Sequence, residues 1–114
     1  MSDNDSFSFP DNVEWHDEAK VDFNSLDRSQ KLIVVKAIVR VAQKPQAQNE
    51  GGYGKPLGNR NAANLKNLLK VKLKSSGLRI VYQYVIEGNL MKIIVISIRD
   101  DEKVYKIAAK RLGR

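Results

Sequence analysis

The chain has 114 residues, 42% of them apolar and 29% charged, which is the size and composition of one globular domain and too little for two cores. Cysteine is absent, which excludes disulfide frameworks, thiolate zinc sites and cysteine nucleophiles. Apolar runs fall short of the roughly 20 residues that span a bilayer, Met1–Asp5 lacks the basic start of a secretion signal, and the expected compartment is the cytoplasm. The net charge of +7 hides two opposite parts, −6 over Met1–Gln30 and +13 over Lys31–Arg114. Such a surplus favours a polyanionic partner, because lysines and arginines displace the counterions condensed on phosphates.

Residues 1–11 are polar and acidic, with Phe7 and Phe9 as apolar anchors, and read as a mobile acidic arm ahead of one domain over 12–114. Asn12–Trp15 alternates as a strand does, with Trp15 as its anchor. Asp17 is the expected N-cap of a short helix that places Ala19, Phe23 and Leu26 on one face. Asp27 caps a longer helix carrying Leu32, Val35, Ile38, Val39 and Ala42, stopped at Lys44-Pro45 because proline disfavours a helical residue before it. The glycine-punctuated stretch 46–64 reads as a long loop of the kind that tends to be functional or disordered.

Three strands follow in quick succession, Leu68–Lys74, Leu78–Val85 and Leu90–Ile98, joined by Ser75-Ser76-Gly77 and Glu87-Gly88-Asn89 as an antiparallel meander. A last helix from about Glu102 to Leu112 places Tyr105, Ala108, Ala109 and Leu112 on one side. The expected order is β-α-α-β-β-β-α, an α+β domain whose helices pack on one face of an antiparallel sheet.

Strict alternation in Leu69-Lys70-Val71-Lys72-Leu73-Lys74 sends the apolar residues to one face and three lysines to the other, each about 6.6 Å from the next. A two-residue turn at Ser76-Gly77 would pair Lys74 with Arg79, Lys72 with Val81 and Lys70 with Gln83, adding Arg79 to the lysine face. Tyr82 and Tyr84 then fall on the apolar face as core residues. No acid occurs between Gly51 and Tyr84, so this face is a row of like charges. It is either a solvated edge that blunts aggregation or a cradle for phosphodiester oxygens.

The segment Lys70-Val71-Lys72-Leu73-Lys74-Ser75-Ser76-Gly77-Leu78-Arg79-Ile80-Val81-Tyr82-Gln83, with Val104-Tyr105 and Lys110-Arg111-Leu112, closely resembles the RelE toxins of bacterial toxin–antitoxin pairs. The resemblance extends over about Val13 to Leu112. It implies a RelE-like fold and a ribosome-dependent endoribonuclease that enters the vacant A site, cuts the exposed mRNA codon, and is silenced by a cognate antitoxin. Its expected partners are therefore that antitoxin, mRNA and the 70S ribosome.

By the same resemblance, Lys70, Lys72, Arg79, Arg99 and Tyr105 are the catalytic set. Arg79 and Arg99 fall to the phosphate, Lys72 to transition-state stabilisation and proton transfer, Lys70 to the leaving group, and Tyr105 to stacking on or orienting the nucleotide. The general base stays unassigned. Lys74, Lys106 and Arg111 are expected to bind RNA. Ser97-Ile98 replaces the Gly-Lys that usually precedes the second arginine, and the glycine-rich loop is longer than in compact members. Two other classes remain open: a ParE-like toxin that binds DNA gyrase, and a non-catalytic RNA-binding module.

Metal-free RNA cleavage by the substrate's own 2′-hydroxyl needs a base, charge stabilisation and a proton for the departing oxygen. The lone histidine, His16, reads as a surface or capping residue. Neighbouring positive charge is expected to lower the pKa of a lysine or tyrosine in the cluster. No HExxH, P-loop or clustered carboxylate site is present, and no metal or cofactor is expected.

Overall fold

The computed structural model describes residues 7–57, 67–98 and 100–113. Five strands form one sheet in the order β1-β5-β4-β3-β2: β1 is Val13–Trp15, β2 Lys55–Pro56, β3 Leu68–Leu73, β4 Leu78–Val85 and β5 Leu90–Ser97. Three helices accompany it: α1 Asp17–Asn24, α2 Arg28–Ala42 and α3 Asp101–Arg111. The meander β3-β4-β5 is antiparallel as expected, but β1 runs parallel to β5, so the sheet is mixed.

The helices do not share one face. Against α1 and α2 pack Leu69, Ile80, Tyr82, Met91, Ile93 and Ile96, while the opposite face buries Leu68, Val81, Ile94 and Val95 under Val104, Tyr105, Ala108 and Ala109 of α3. A bulge on β5 opposite Val81/Tyr82 lets both Ile94 and Val95 turn toward α3. Ile93–Ile96 is apolar at both parities, the pattern of a central strand covered on both sides.

His16, rather than Asp17, caps α1 by accepting from Glu18 N, which bears out its capping role. Asp27 caps α2 in a capping box with Gln30. The buried stripe of α2 is Lys31, Val34, Ile38, Val41 and Ala42, while Leu32 is 41% exposed. The expected stripe was rotated because Leu32-Ile33-Val34-Val35 is apolar throughout and leaves the helix phase open.

Phe7 and Phe9 dock edge-on against Phe23, and Phe9 also meets Trp15 at 5.3 Å between ring centroids. Packing thus begins before residue 12, inside the segment expected to be mobile; residues 1–6 lie outside the described residues. The stretch expected as a loop over 46–64 contains a 3₁₀ turn at Gln48–Glu50 and then β2, which pairs with β3. Its part beyond Leu57 lies outside the described residues. Among those described, no helix is long and apolar enough to cross a membrane.

Candidate functional site

The β3–β4 turn spans four residues, closed by Ser76 N and Gly77 N on Leu73 O, with Gly77 at φ +74 where a side chain would be strained. Lys72 therefore pairs with Arg79 and Lys70 with Val81, two residues away from the expected register. A shift of two preserves the parity of every side chain. Arg79 still joins Lys70 and Lys72 on one face.

The sequence pattern leaves that face open, whereas the structure lays the first turns of α3 beside it. Asp101 and Tyr105, four residues apart, share one side of α3 and face β3. Lys70 Nζ donates to Tyr105 Oη at 2.6 Å and to Asp101 Oδ2 at 3.1 Å. Arg79 Nε donates to Asp101 Oδ1, and Lys72 Nζ lies 3.9 Å from Oδ2. One carboxylate thus holds three cations from two strands. Lys70 and Arg79 are 11% and 16% exposed; Lys72 is open at 44%.

These contacts reverse the electrostatic expectation for Lys70. Burial by itself lowers its pKa, but the bonds to Tyr105 and Asp101 outweigh burial and leave it raised, so Lys70 is held protonated. Burial pushes Asp101 up, and the bonds from Lys70 and Arg79 overcome this to hold its carboxyl below the usual value.

Lys70, Lys72 and Asp101 open onto a cavity of about 530 Å³, walled further by Lys74, Lys55 and Tyr53. Lys55 pairs with Lys70 across β2 and β3. Arg40 lies 5.0 Å from the Tyr53 ring centroid. The Tyr105 ring, by contrast, is 5% exposed within the α3 cluster, and its hydroxyl meets Lys70. Stacking on a nucleotide does not fit that burial; orienting through the hydroxyl does.

Other expected site residues lie elsewhere. Arg111 sits at the far end of α3, where Asp22 takes both of its terminal nitrogens at 2.7 and 3.1 Å, Ile94 O accepts at 2.8 Å, and Glu18 lies 3.1 Å from Nε. It ties α1, β5 and α3 together rather than joining the cavity. Lys106 is exposed and pairs with Glu102. Arg99 lies outside the described residues. Tyr82 is fully buried, bonds Pro45 O at 2.7 Å, and has its hydroxyl pKa pushed up by burial, in keeping with a core role. Among the described residues no cluster of His, Cys, Asp or Glu could hold a metal.

Asp101, Tyr53 and Lys55 were missed from the sequence. Asp101 stood four residues before Tyr105, a spacing that puts both on one side of a helix. Tyr53 and Lys55 gave no comparable signal, since their place depends on β2 pairing at the sheet edge.

No protein-family model matches the chain. It is 26% identical over 100 residues to the mRNA interferase toxin RelE of Escherichia coli K12, a match covering 88% of this chain and 95% of that protein. A double arginine-to-alanine variant of Escherichia coli RelE in the free state superposes with a TM-score of 0.66 at 24% identity, covering 88% of this chain and 95% of the other. The chain is RelE-like in sequence and in fold. The RelE chain of the intact Escherichia coli RelBE toxin–antitoxin complex also matches, with a TM-score of 0.61 and 23% identity over 77% of this chain and 95% of that one. This RelE-like fold sets the strand cations Lys70, Lys72 and Arg79 on one face, with Lys70 bonded to the Tyr105 hydroxyl.

Proposed function

We propose that the chain is a toxin of a toxin–antitoxin pair: an endoribonuclease that cuts mRNA in the ribosomal A site and is neutralised by a cognate antitoxin in the cytoplasm. The observation that carries this reading is the gathering of Lys70, Lys72 and Arg79 on one sheet face, with the Tyr105 hydroxyl bonded to Lys70. Its similarity to a protein named mRNA interferase toxin RelE supports the reaction class. The match to RelE in a toxin–antitoxin complex supports a partner, and a cavity walled by four lysines suits an acidic segment of it.

In this reading the substrate's 2′-oxygen bonds to the adjacent phosphorus while the bond to the 5′-oxygen breaks, leaving a 2′,3′-cyclic phosphate and a 5′-hydroxyl. Arg79 and Lys72 neutralise the charge that builds on the phosphorane, with Arg99 as the second phosphate-binding arginine. Lys72, the most open of the three strand cations, takes the 2′-hydroxyl proton from its neutral amine form, and the ammonium so formed faces the phosphorane. Lys70, held protonated, supplies a proton to the departing 5′-oxygen, and Tyr105 fixes its ammonium in place. Lys55 and Lys74 hold flanking phosphates, and Lys106 adds a cation outside the cavity. Recognition then rests mainly on backbone and ribosome.

The test is to add purified protein to programmed ribosomes and map mRNA ends. New ends within the A-site codon, absent when that codon carries 2′-deoxy nucleotides, are the expected result. Intact mRNA, or cleavage indifferent to the 2′-hydroxyl, would overturn the reading.

A further inference from the structure

We propose that Asp101 is an internal competitor: its carboxylate occupies the position of the substrate phosphate and must leave before RNA can be cut. The proposal rests on the reading of Lys70, Lys72 and Arg79 as the phosphate cradle.

The carboxylate shows where an oxyanion is taken. Oδ1 accepts from Arg79 and Oδ2 from Lys70, with Lys72 3.9 Å away, so two oxygens of one anion engage three cations as the non-bridging oxygens of a phosphodiester would. Asp101 is the first residue of α3, whose N-terminus adds a positive dipole end to the same place. The helix does not require it as a cap, because Asp100 already fills that role by accepting from Lys103 N at 3.0 Å. β3 and β4 contain no acid, so the negative charge reaches the cradle from α3. Asp101 is 31% exposed on the cavity wall and can exchange with a ligand arriving through it.

The exchange is balanced in charge, one monoanion replacing another. Substrate phosphate binds the fraction of molecules in which Asp101 has swung out, and apparent affinity falls by that fraction. Asp101 therefore sets how readily the RelE-like cradle engages an exposed phosphate, and keeps the cations paired when no RNA is present.

The experiment compares wild type, Asp101→Asn, Asp101→Glu and Glu102→Gln for binding to a short RNA made uncleavable by 2′-O-methylation, read by fluorescence anisotropy at fixed salt, with circular dichroism on each protein. Asp101→Asn should bind about tenfold tighter, the size expected when a competing conformer of about nine in ten molecules is removed. Asp101→Glu and Glu102→Gln should stay near wild type. A natively folded Asp101→Asn that binds equally or more weakly overturns the proposal. In wild type, the ¹³C signal of the Asp101 carboxyl should move as sulfate, and separately the RNA, is titrated in; a signal that moves with neither overturns it as well. Sulfate that displaces Asp101 while RNA binds neither protein would uphold the competitor and remove the nuclease reading.

Discussion

Lys70 Nζ donates to Tyr105 Oη at 2.6 Å, joining the middle strand of the basic face to the helix that covers it. The ring and the hydroxyl of Tyr105 therefore do separable work. Tyr105→Phe keeps the packing and should lower the cleavage rate about 10²-fold by releasing the Lys70 ammonium, with a loss of about 1–2 kcal/mol in stability. Tyr105→Ala should cost about 3–5 kcal/mol through the cavity it leaves. Single-turnover cleavage and urea unfolding of both variants separate the two effects.

The acid limb of stability should carry the mark of Asp101. Burial raises its pKa, but the bonds from Lys70 and Arg79 prevail and hold it below the ordinary 3.8. A depressed folded-state value means that the contribution is whole above the unfolded value and is lost as pH falls through the folded one. Urea midpoints should thus drop below about pH 4, and Asp101→Asn should flatten part of that drop. Asp27, lowered by its bonds from the Gln30 backbone and the Ser29 side chain, supplies a parallel slope that remains. An unchanged limb in Asp101→Asn would contradict the ion-pair assignment.

Arg111 and Lys72 should part company in RNA binding. Arg111 is enclosed by Asp22, Glu18 and Ile94 O, so Arg111→Ala should cost about 2–3 kcal/mol of stability and leave the salt dependence of binding unchanged. Lys72→Ala should spare stability and reduce the slope of log K against log salt by about 0.7, the loss of one phosphate contact on a single strand.

What the sequence disclosed here follows from parity and local chemistry. Alternation in Lys70–Lys74 separated the two faces, and the turn brought Arg79 to the lysines even though the register was two residues out, because an even shift moves no side chain across the sheet. Asp27 and the positions of α3 and the three long strands were legible from caps and periodicity. The phase of α2 was hidden by an apolar run at Leu32–Val35. Covering of the lysine face by α3 was written only indirectly, in the two-sided apolarity of Ile93–Ile96. Asp101 is not legible because its meeting with the cation row depends on where α3 crosses the sheet, which periodicity does not state.

The outer wall of the cavity depends on a close backbone approach at Gly54. A Cβ there would collide with the Tyr82 hydroxyl and come within 2.8 Å of Leu69. Gly54→Ala should displace the bond from Tyr82 to Pro45 O, cost about 1–3 kcal/mol, and weaken RNA binding by shifting Tyr53 and Lys55. Thermal unfolding and anisotropy measure the two losses together.

In the proposed function the strand cations, with Arg79 at the phosphate, perform chemistry on RNA rather than only holding it. Single-turnover cleavage of mRNA on programmed ribosomes, measured for wild type and Arg79→Ala at saturating protein, tests this most directly. Arg79→Ala should cut about 10²–10³-fold more slowly, as for loss of a transition-state donor, with ribosome binding retained. An Arg79→Ala protein that is natively folded and cuts at the wild-type rate would contradict that role.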